Sequence, residues 1–393
     1  MQCRYFDAGE CRSCSLIETP YAEQLREKAE RCASLLPQVA EQAWITPFTA
    51  GDRGFRNRVK LVVGGEPGRV TLGILGPDGR GVDLRECAIQ APEIARVIPR
   101  IAEYLESTKL APYDVPARRG ELKFAHVTLA PSGELMVRFV VRSERAREVL
   151  RSRLSLLRSL VPLAAVISVN LLPEHKAVLE GDDEELLWGS TLAMQLGFDD
   201  APLTLHLQPQ SFFQTNTEVA RALYAQAAAW VTAVQPASIW DLYCGVGGFA
   251  LHCAAALRAA GGESDAACTV VGVELSEAAI ESAKRSSSEA GLGSRFVAAD
   301  ATEFALAAAT DALPELLVVN PPRRGIGDTL ATWIEGSGIE TVIYSSCNPV
   351  SLAKDLAAMP SYAVREARLF DMFPHTAHLE VAVLLSRESS ASA

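Results

Sequence analysis

Trp240-Asp-Leu-Tyr-Cys-Gly-Val-Gly-Gly-Phe-Ala250 is the segment around which the second half of this 393-residue chain is organised. Residues 237–242 before the glycines are typical of a short apolar strand, and residues 249–257 after them are typical of an alanine-rich helix. The glycines therefore form a strand-to-helix turn. Because glycine lacks a Cβ atom, such a turn can bring backbone N–H groups against a nucleoside-bearing cofactor at the start of the helix.

From residue 237 onward, short apolar strands alternate with amphipathic helices. Strands are predicted at residues 237–242, 269–274, 295–298, 316–320 and 341–346, and helices at residues 249–257, 276–289 and 349–357. This alternation indicates a mostly parallel, doubly wound α/β sheet, in which a ligand lies over the carboxyl ends of the strands. The last two strands, around 365–370 and 379–385, have no helix between them, so we expect an antiparallel edge.

The first half has a different pattern, in which turns rich in glycine and proline join short strands into hairpins. Residues 40–205 predict an antiparallel α+β domain, and a helix is predicted before it at residues 21–36. Along one predicted strand, Arg56, Arg58 and Lys60 alternate with apolar residues, and further cations, including those at positions 138 and 147, follow. A basic strand face of this kind contacts phosphate groups or is simply solvated.

The change of pattern after about Leu203 marks a domain boundary. We predict an N-terminal domain at residues 1–204, a second domain at residues 205–387 and a disordered tail at residues 388–393. A chain of this length is sufficient for two such domains, each with its own core.

Composition narrows the classes of function. Acidic residues outnumber basic ones, 48 to 37, which argues against a protein that coats nucleic acid through bulk charge but leaves local basic patches possible. No uncharged apolar run approaches the ~20 residues of a membrane span, and the N-terminus lacks the apolar core of a signal peptide. We therefore expect a cytoplasmic protein, in which the nine cysteines are metal ligands, nucleophiles or core residues rather than disulfides.

Three of the cysteines cluster at the N-terminus. Cys3, Cys11 and Cys14 have the spacing C-x7-C-x2-C, and Cys87 is the candidate for a fourth partner. Four thiols suit a soft metal or an iron-sulfur cluster, which would pin an otherwise unstructured terminus onto its domain. Structural zinc more often shows two C-x2-C pairs, and a set of unconnected free thiols is the alternative to any metal site.

Candidate catalytic residues fall where the predicted strands end. Glu274 closes the strand after the glycine turn, where a carboxylate can accept hydrogen bonds from ribose hydroxyls. Asn320 ends another strand and precedes two prolines, which hold a rigid, extended turn. Cys347 ends a third strand directly before a helix, a position that favours a thiolate. Cys244 in the glycine turn is the rival nucleophile, and either cysteine can instead be a small buried side chain.

Six separated motifs combine these features in one chain. They are Cys3/Cys11/Cys14/Cys87, Ser211-Phe-Phe-Gln-Thr-Asn216, Asp241-Leu-Tyr-Cys-Gly-Val-Gly-Gly248, Asn320-Pro-Pro-Arg-Arg-Gly-Ile-Gly327, Tyr344-Ser-Ser-Cys-Asn348 and Phe370-Asp-Met-Phe-Pro-His-Thr-Ala-His-Leu-Glu380. From residue 3 to about 385, the chain resembles the RNA uracil-5 methyltransferases, which use S-adenosylmethionine. The resemblance implies a Rossmann-like methyltransferase domain, preceded by an α+β domain that contacts RNA and carries an iron-sulfur cluster.

The resemblance also implies roles for individual residues. The residues expected to bind S-adenosylmethionine are Gln214, Tyr243, Gly245, Glu274 and Asn320. Cys347 would be the nucleophile that adds to C6 of uracil, and Glu380 the base that removes the proton from C5. The cysteines expected to hold a [4Fe-4S] cluster are Cys3, Cys11, Cys14 and Cys87. Tyr243 departs from the phenylalanine of related chains, a change that should leave stacking unaltered.

The expected substrate is RNA. Because the chain opens directly on the cluster cysteines, it resembles the branch of the family that methylates a specific uridine of 23S rRNA, and we expect a monomer without a protein partner. Another rRNA uridine or a tRNA uridine is the alternative within the family. An NAD-dependent oxidoreductase would leave Cys347 without a role, and a non-enzymatic iron-sulfur RNA-binding or redox-sensing protein would leave both Cys347 and Glu380 without one.

Overall fold

The computed structural model of the protein describes residues 1–198, 202–261 and 268–388. The helices in these ranges are α1 Arg4–Asp7, α2 Tyr21–Leu35, α3 Pro92–Thr108, α4 Glu144–Ser152, α5 Leu154–Leu160, α6 Thr217–Val234, α7 Gly248–Gly261, α8 Glu277–Ala290, α9 Ala301–Leu306, α10 Gly327–Ser337 and α11 Pro349–Ala357. The strands are β1 Trp44–Phe48, β2 Arg58–Glu66, β3 Arg69–Leu75, β4 Gly81–Asp83, β5 Leu122–Leu129, β6 Leu135–Val141, β7 Ala164–Leu171, β8 Asp183–Trp188, β9 Leu192–Gln195, β10 Thr204–Leu207, β11 Ser238–Leu242, β12 Thr269–Glu274, β13 Arg295–Ala298, β14 Leu316–Val319, β15 Thr341–Ser346, β16 Tyr362–Phe370 and β17 Glu380–Arg387. None of the described helices is long and apolar enough to cross a membrane.

The chain divides into two units that are not continuous in sequence. The first unit comprises Met1–Glu18, Gly51–Met194 and Thr215–Thr217, and the second comprises Thr19–Ala50, Gln195–Gln214 and Glu218–Ala393. This division differs from the predicted single boundary at residue 204, because the segment with α2 and β1 belongs to the second unit. Most of the predicted tail at 388–393 lies outside the described residues.

The first unit is built on a seven-stranded sheet with the strand order β4-β3-β2-β5-β6-β7-β8. On β2, Val59, Leu61 and Val63 are buried in the core, as the alternating pattern predicts. Helix α3 packs its apolar stripe into the same core, because Ile94 and Ile101 recur at helical spacing. The sheet is antiparallel except that β6 and β7 are parallel, which corrects the predicted antiparallel domain. Helices α4 and α5 lie between β6 and β7 in sequence and supply the crossover that a parallel pair needs.

The second unit contains an eight-stranded sheet with the strand order β1-β16-β17-β15-β14-β11-β12-β13. Strands β11 to β15 are parallel, and the order reverses at β11, which lies between β14 and β12. The predicted doubly wound, Rossmann-like sheet is therefore confirmed. Residues that follow the carboxyl ends of these strands converge beside the switch point. They come from β11, β12, β14 and β15. Sheets of this type bind ligands at this place.

The antiparallel edge is also confirmed, because β17 pairs antiparallel with both β15 and β16. The outermost strand was missed, however. Strand β1, far upstream in sequence, pairs parallel with β16 and forms the end of the sheet. Pro47 within β1 made the segment a poor strand candidate, although an edge strand tolerates a proline because one side of it needs no hydrogen-bond partner.

Candidate active site

A cavity of about 660 Å³ lies in the second unit, at the carboxyl ends of the parallel strands. This volume is typical of a site for a cofactor-sized molecule. The seven residues that the sequence predicted for cofactor binding and catalysis all line it: Gln214, Tyr243, Gly245, Glu274, Asn320, Cys347 and Glu380. The structure therefore brings together residues from six separate segments of the chain.

The glycine turn after β11 forms one wall of the cavity. Tyr243 and Gly245 both have positive φ angles, 64° and 54°, so the backbone turns sharply from the strand toward α7. A Cβ atom on Gly245 would meet no atom within 4 Å, so the cavity is open at that position. At Gly248, by contrast, a Cβ atom would lie 2.6 Å from the Tyr224 hydroxyl oxygen, and only glycine fits.

The carboxylate of Glu274 connects the glycine turn to the neighbouring strand. It accepts hydrogen bonds from the backbone N–H groups of Gly245 at 3.3 Å and Ser276 at 3.0 Å. Ser276 in turn caps α8, because its hydroxyl accepts a hydrogen bond from Ala279 N–H. These contacts fix the carboxylate at the end of β12, where it can accept hydrogen bonds from a diol.

Asp241 is a buried acid below the turn that the sequence did not single out. It is fully buried, and its Oδ2 accepts a hydrogen bond from the Ala250 N–H at 2.9 Å in the first turn of α7. Burial raises its pKa to about 7, and the hydrogen bond opposes this rise. Asp241 thus ties the end of β11 to the helix that follows the glycine turn.

On the opposite wall, Glu380 is held by two donors. It is 2% exposed, and its Oε1 accepts hydrogen bonds from the Ser345 hydroxyl at 2.5 Å and the Asn320 Nδ2 at 3.1 Å. Burial raises the pKa of Glu380 to about 7, while the two hydrogen bonds lower it. A carboxyl group with a pKa near neutral can both take and release a proton at physiological pH.

Cys347 lies at the end of β15, close to Glu380. Burial is the main cause that raises the pKa of its thiol, and the negative charge of Glu380 raises it further. Arg323 acts in the opposite direction, through its charge and through a hydrogen bond to the thiol. The thiolate of Cys347 is therefore favoured when Arg323 is near and Glu380 is protonated.

Helix α11 begins directly after Cys347 and holds the Asn320–Gly327 turn in place. Asn348 caps the helix by accepting a hydrogen bond from Val350 N–H, and its Nδ2 donates to the carbonyl oxygen of Arg323 at 2.9 Å. Further along α11, Asp355 accepts hydrogen bonds from Ile326 N–H at 2.9 Å and the Tyr344 hydroxyl at 2.7 Å. Asp355 could not be recognised from the local sequence, because its partners Ile326 and Tyr344 lie on other elements.

The other cysteine, histidine and phenylalanine candidates differ in how deeply they are buried and in whether they line the cavity. Cys244 is 7% exposed, and burial raises the pKa of its thiol well above the usual value, which disfavours a thiolate. His375 is fully buried, and its backbone N–H donates a hydrogen bond to Gln24 Oε1. His378 lines the cavity, and burial lowers the pKa of its imidazole. Among the aromatic residues, Phe213 is a core residue, but Phe212 is 70% exposed at the cavity.

The four cysteines of the predicted cluster lie near one another in the first unit. Burial raises the pKa of the Cys14 thiol to about 11, with smaller increases from the charges of Cys87, Cys11 and Cys3. Thiols that influence one another in this way fit the donor chemistry of a soft metal centre. Within the part of the chain that the structure describes, however, no group of three or more Cys, His, Asp or Glu side chains has a metal-binding arrangement.

Comparison with known proteins identifies the family. The family model described as tRNA (Uracil-5-)-methyltransferase matches residues 189–388. The 23S rRNA (uracil(747)-C(5))-methyltransferase of Halothiobacillus neapolitanus is 44% identical over 98% of this chain and 100% of its own length. The protein of the same name from Photorhabdus laumondii is 42% identical over 98% of this chain and 99% of its own length.

A solved structure agrees with the fold. The tRNA (uracil-54, C5)-methyltransferase of Pyrococcus abyssi, in complex with S-adenosyl-L-homocysteine, matches with a TM-score of 0.77. It is 24% identical in sequence, and the match covers 95% of this chain and 85% of that one. With the family model matched over half of its length and full-length relatives above 40% identity, the chain belongs to the tRNA (uracil-5-)-methyltransferase family.

Proposed function

We propose that the protein transfers a methyl group from S-adenosylmethionine to C5 of a specific uridine in 23S rRNA, through a covalent bond between Cys347 and C6 of the base. The observation that carries this proposal is the proximity of Cys347 and Glu380 in one cavity, where the carboxylate influences the pKa of the thiol. The choice of 23S rRNA follows the names of the two bacterial relatives.

Covalent catalysis comes first, because C5 of uracil is too weak a nucleophile to attack a sulfonium methyl group. The Cys347 thiolate adds to C6, and the electrons of the C5–C6 double bond move to form an enolate whose C5 is nucleophilic. Arg323 supports this step, since its charge favours the thiolate. When bound, S-adenosylmethionine would supply the electrophilic methyl group to C5, and S-adenosylhomocysteine would leave with the electron pair of the broken S–CH3 bond.

Glu380 acts in the second half of the reaction. After methyl transfer, C5 carries both the new methyl group and its original hydrogen. The carboxylate of Glu380 removes that proton, the C5–C6 double bond forms again, and the Cys347 sulfur leaves with its electron pair. The hydrogen bonds from Ser345 and Asn320 hold Glu380 in place for this step and leave its Oε2 for the substrate.

The residues on the other wall bind and orient the methyl donor. Glu274 is placed to accept hydrogen bonds from ribose hydroxyls, and the open backbone at Gly245 allows close approach of the ligand. Tyr243, Gln214 and Asn320 line the same cavity, so we assign them to the rest of the donor. Holding the donor in line with C5 lowers the barrier by preorganisation.

The target base must leave its stack to reach Cys347. Phe212 offers an exposed aromatic face at the cavity, and Phe373 lines the same cavity from the loop before β17. Aromatic side chains in such positions stack on an extracted base. Large basic surfaces are not needed for this, so an acidic protein can still bind RNA locally.

We further propose that Cys3, Cys11, Cys14 and Cys87 hold a [4Fe-4S] cluster. Support comes from the donor set, which is four thiols close enough to influence one another. A bound cluster would fix the N-terminal segment on the first unit and supply no electrons to methyl transfer, which is a polar reaction. The expected site of action is the cytoplasm, and we expect a monomer.

The decisive experiment for the activity is a map of 5-methyluridine in RNA from cells that lack this protein. We expect one 23S rRNA uridine to lose its methyl group and to regain it with the wild-type gene but not with Cys347→Ala. Loss of the mark in tRNA instead would replace the proposed substrate with the alternative one. Unchanged 5-methyluridine in both RNAs would contradict the proposed function.

A further inference from the structure

Strands β16 and β17 are joined by a loop, residues 371–379, that borders the cavity. Phe370, the last residue of β16, pairs directly with Glu380, the first residue of β17. Two loop residues, Phe373 and His378, line the cavity together with Glu380. The conformation of this loop therefore shapes the wall beside Glu380 and determines how the chain enters β17 at Glu380, whose side chain Ser345 and Asn320 hold.

One face of helix α2 contacts this loop. Tyr21, Gln24, Lys28 and Arg31 follow one another at intervals of three and four residues, which places them on the same side of the helix. Lys28 makes the central contact, because its ammonium group donates to Asp371 Oδ1 at 2.6 Å and to the carbonyl oxygen of Phe373 at 3.0 Å. At the C-terminal end of the same helix face, Arg31 donates a hydrogen bond to the carbonyl oxygen of Ala377 at 3.3 Å.

The ion pair between Lys28 and Asp371 is deeply buried. The side chains are 3% and 0% exposed, and the Tyr21 hydroxyl donates a second hydrogen bond to Asp371 Oδ2 at 2.7 Å. Burial lowers the pKa of the Lys28 ammonium, whereas the charge of Asp371 raises it. A buried pair with these extra hydrogen bonds fixes geometry, since either charge alone would be strongly unfavourable in this site.

Gln24 secures a second point of the loop. Its Oε1 accepts a hydrogen bond from the His375 backbone N–H at 3.0 Å, and its Nε2 donates to the Thr19 carbonyl oxygen at 2.8 Å. His375 has a positive φ angle of 64°, an unfavourable conformation for a residue with a side chain. The contact with Gln24 stabilises this conformation, in which the chain turns back toward Glu380.

We propose that Tyr21, Gln24 and Lys28 of α2 are positioning residues for Glu380, and that they control release of the methylated product rather than binding of the methyl donor. The inference rests on the proposed function of Glu380 as the base. Among the residues assigned to the donor, Tyr243 lies in the turn between β11 and α7 and Glu274 is the last residue of β12, so a displaced 371–379 loop leaves both in place. Asn320, which bonds to Glu380, keeps its second hydrogen bond, to the Ser345 carbonyl oxygen at 3.1 Å. The effect should therefore be confined to the step that Glu380 performs.

The test compares Lys28→Met and Tyr21→Phe with wild-type protein in single-turnover reactions that follow the covalent protein–RNA adduct over time. The matched control is Arg26→Met on the same helix, because Arg26 forms its ion pairs with the exposed Glu23 and Glu30 on the surface of that helix. We expect the methylated adduct to form at the wild-type rate in both variants. Its decay should be roughly tenfold slower than wild type in Lys28→Met and slowed by a smaller factor in Tyr21→Phe. Affinity for S-adenosylmethionine should stay within about twofold of wild type, a loss too small to indicate a damaged donor site.

A purely structural role of α2 would lower adduct formation, adduct decay and donor affinity together, and that result would overturn the inference. Adding Asp371→Asn to Lys28→Met should restore faster decay, because no unpaired charge then remains in the buried site. If Lys28→Met fails to fold, Tyr21→Phe alone decides, since it removes only one hydroxyl. Wild-type decay in a folded Tyr21→Phe variant would then reject the proposal, whereas wild-type protein that never forms an adduct would instead reject the proposed function.

Discussion

At the scale of single residues, the surroundings of Glu380 suit its proposed role as the base. A carboxyl group that is 2% exposed is costly to ionise, and the donors Ser345 and Asn320 compensate for only part of that cost. The folded protein therefore holds Glu380 near its point of half-protonation at neutral pH. The same property that suits a base also makes this residue a source of instability when it is ionised.

The first prediction concerns stability against pH. The pKa of Glu380 is raised from 4.5 to about 7, so the folded state binds a proton that the unfolded state releases, and the associated stability is lost as pH rises through about 7. Glu380→Gln keeps the hydrogen bonds and cannot ionise. Its gain in stability over wild type should be larger at pH 8 than at pH 5, by on the order of 3 kcal/mol at most. Thermal unfolding at both pH values measures this, and an equal difference at the two pH values would contradict it.

The second prediction separates the two candidate nucleophiles. Cys347→Ala should bind S-adenosylmethionine with unchanged affinity and lose methylation, because the donor wall is intact while addition to C6 is impossible. Cys244→Ala should retain substantial activity, since that thiol is buried within the glycine turn. Donor binding by calorimetry and methyl transfer to RNA measure the two properties. Exchanged phenotypes would mean that the nucleophile is in the glycine turn.

Much of the site at this scale was predictable from the sequence, because Glu274, Asn320 and Cys347 occupy positions directly at strand ends. The contact between Ser345 and Glu380 was not predictable. It depends on the register in which β15 and β17 pair, Ser345 opposite Ala382, and a register is set by long-range packing rather than by local sequence. The same holds for Asp241, whose environment is known only once α7 packs above it.

At the scale of secondary-structure elements, the turn between β14 and α10 depends on its contact with α11. Gly325 has a φ angle of 82°, and a Cβ atom on it would lie 2.3 Å from Asp355 Oδ2. Asp355 also holds Ile326 and Tyr344, so a substitution at Gly325 would separate the turn from the helix that follows Cys347. The element that carries Arg323 is thus positioned by one buried carboxylate.

The third prediction uses a matched pair of glycines. Gly325→Ala should destabilise the protein by about 2 kcal/mol or more and reduce methyl transfer, because it combines an unfavourable φ angle with a displaced Asp355. Gly336 lies in α10, and a Cβ atom on it would meet no atom within 4 Å. Gly336→Ala should therefore stabilise the folded protein by about 0.5 kcal/mol. Chemical unfolding of both variants measures the difference. A Gly325→Ala variant as stable as wild type would refute the role of this contact.

The elements that the sequence failed to predict share a physical cause. Strand β1 is paired only through β16, more than 300 positions away in sequence, and the parallel pairing of β6 with β7 depends on how α4 and α5 cross the sheet. The strands and helices around the glycine turn were predicted well, because their apolar periodicity is local. Local periodicity predicts elements, whereas neighbours in a sheet are decided by tertiary packing.

At the scale of the whole molecule, ion pairs within the protein decide which cations can contact RNA phosphates. Two cations that the sequence suggested as phosphate contacts are engaged within the first unit. Arg138 is 1% exposed and pairs with Glu180 and Glu184, and Arg147 pairs with carboxylates that include Asp183. Lys60 on β2 is exposed, so the basic strand face is only partly available to phosphate groups.

The fourth prediction concerns the proposed cluster. Anaerobically purified protein should be brown and contain iron and sulfide in stoichiometric amounts, and alanine at Cys14 or Cys87 should remove the colour and lower the midpoint of thermal unfolding. Alanine at Cys268, which is also partly exposed, is the matched control and should change neither property. Colourless protein with one tightly held zinc ion would replace the cluster with a zinc site. A requirement for added reductant in protein with an intact cluster would contradict its passive role.

In the proposed reaction, Cys347 bonds to the base and Glu380 completes the turnover. The most direct measurement is a denaturing gel of Glu380→Gln after incubation with 23S rRNA and S-adenosylmethionine labelled in its methyl group. We predict that labelled RNA migrates with the protein, because one methyl group is transferred and the base then stays bound to Cys347. The double variant Cys347→Ala, Glu380→Gln should show no labelled complex. Multiple turnovers by Glu380→Gln at nearly the wild-type rate, without a trapped complex, would contradict the account and transfer the role of base to another residue.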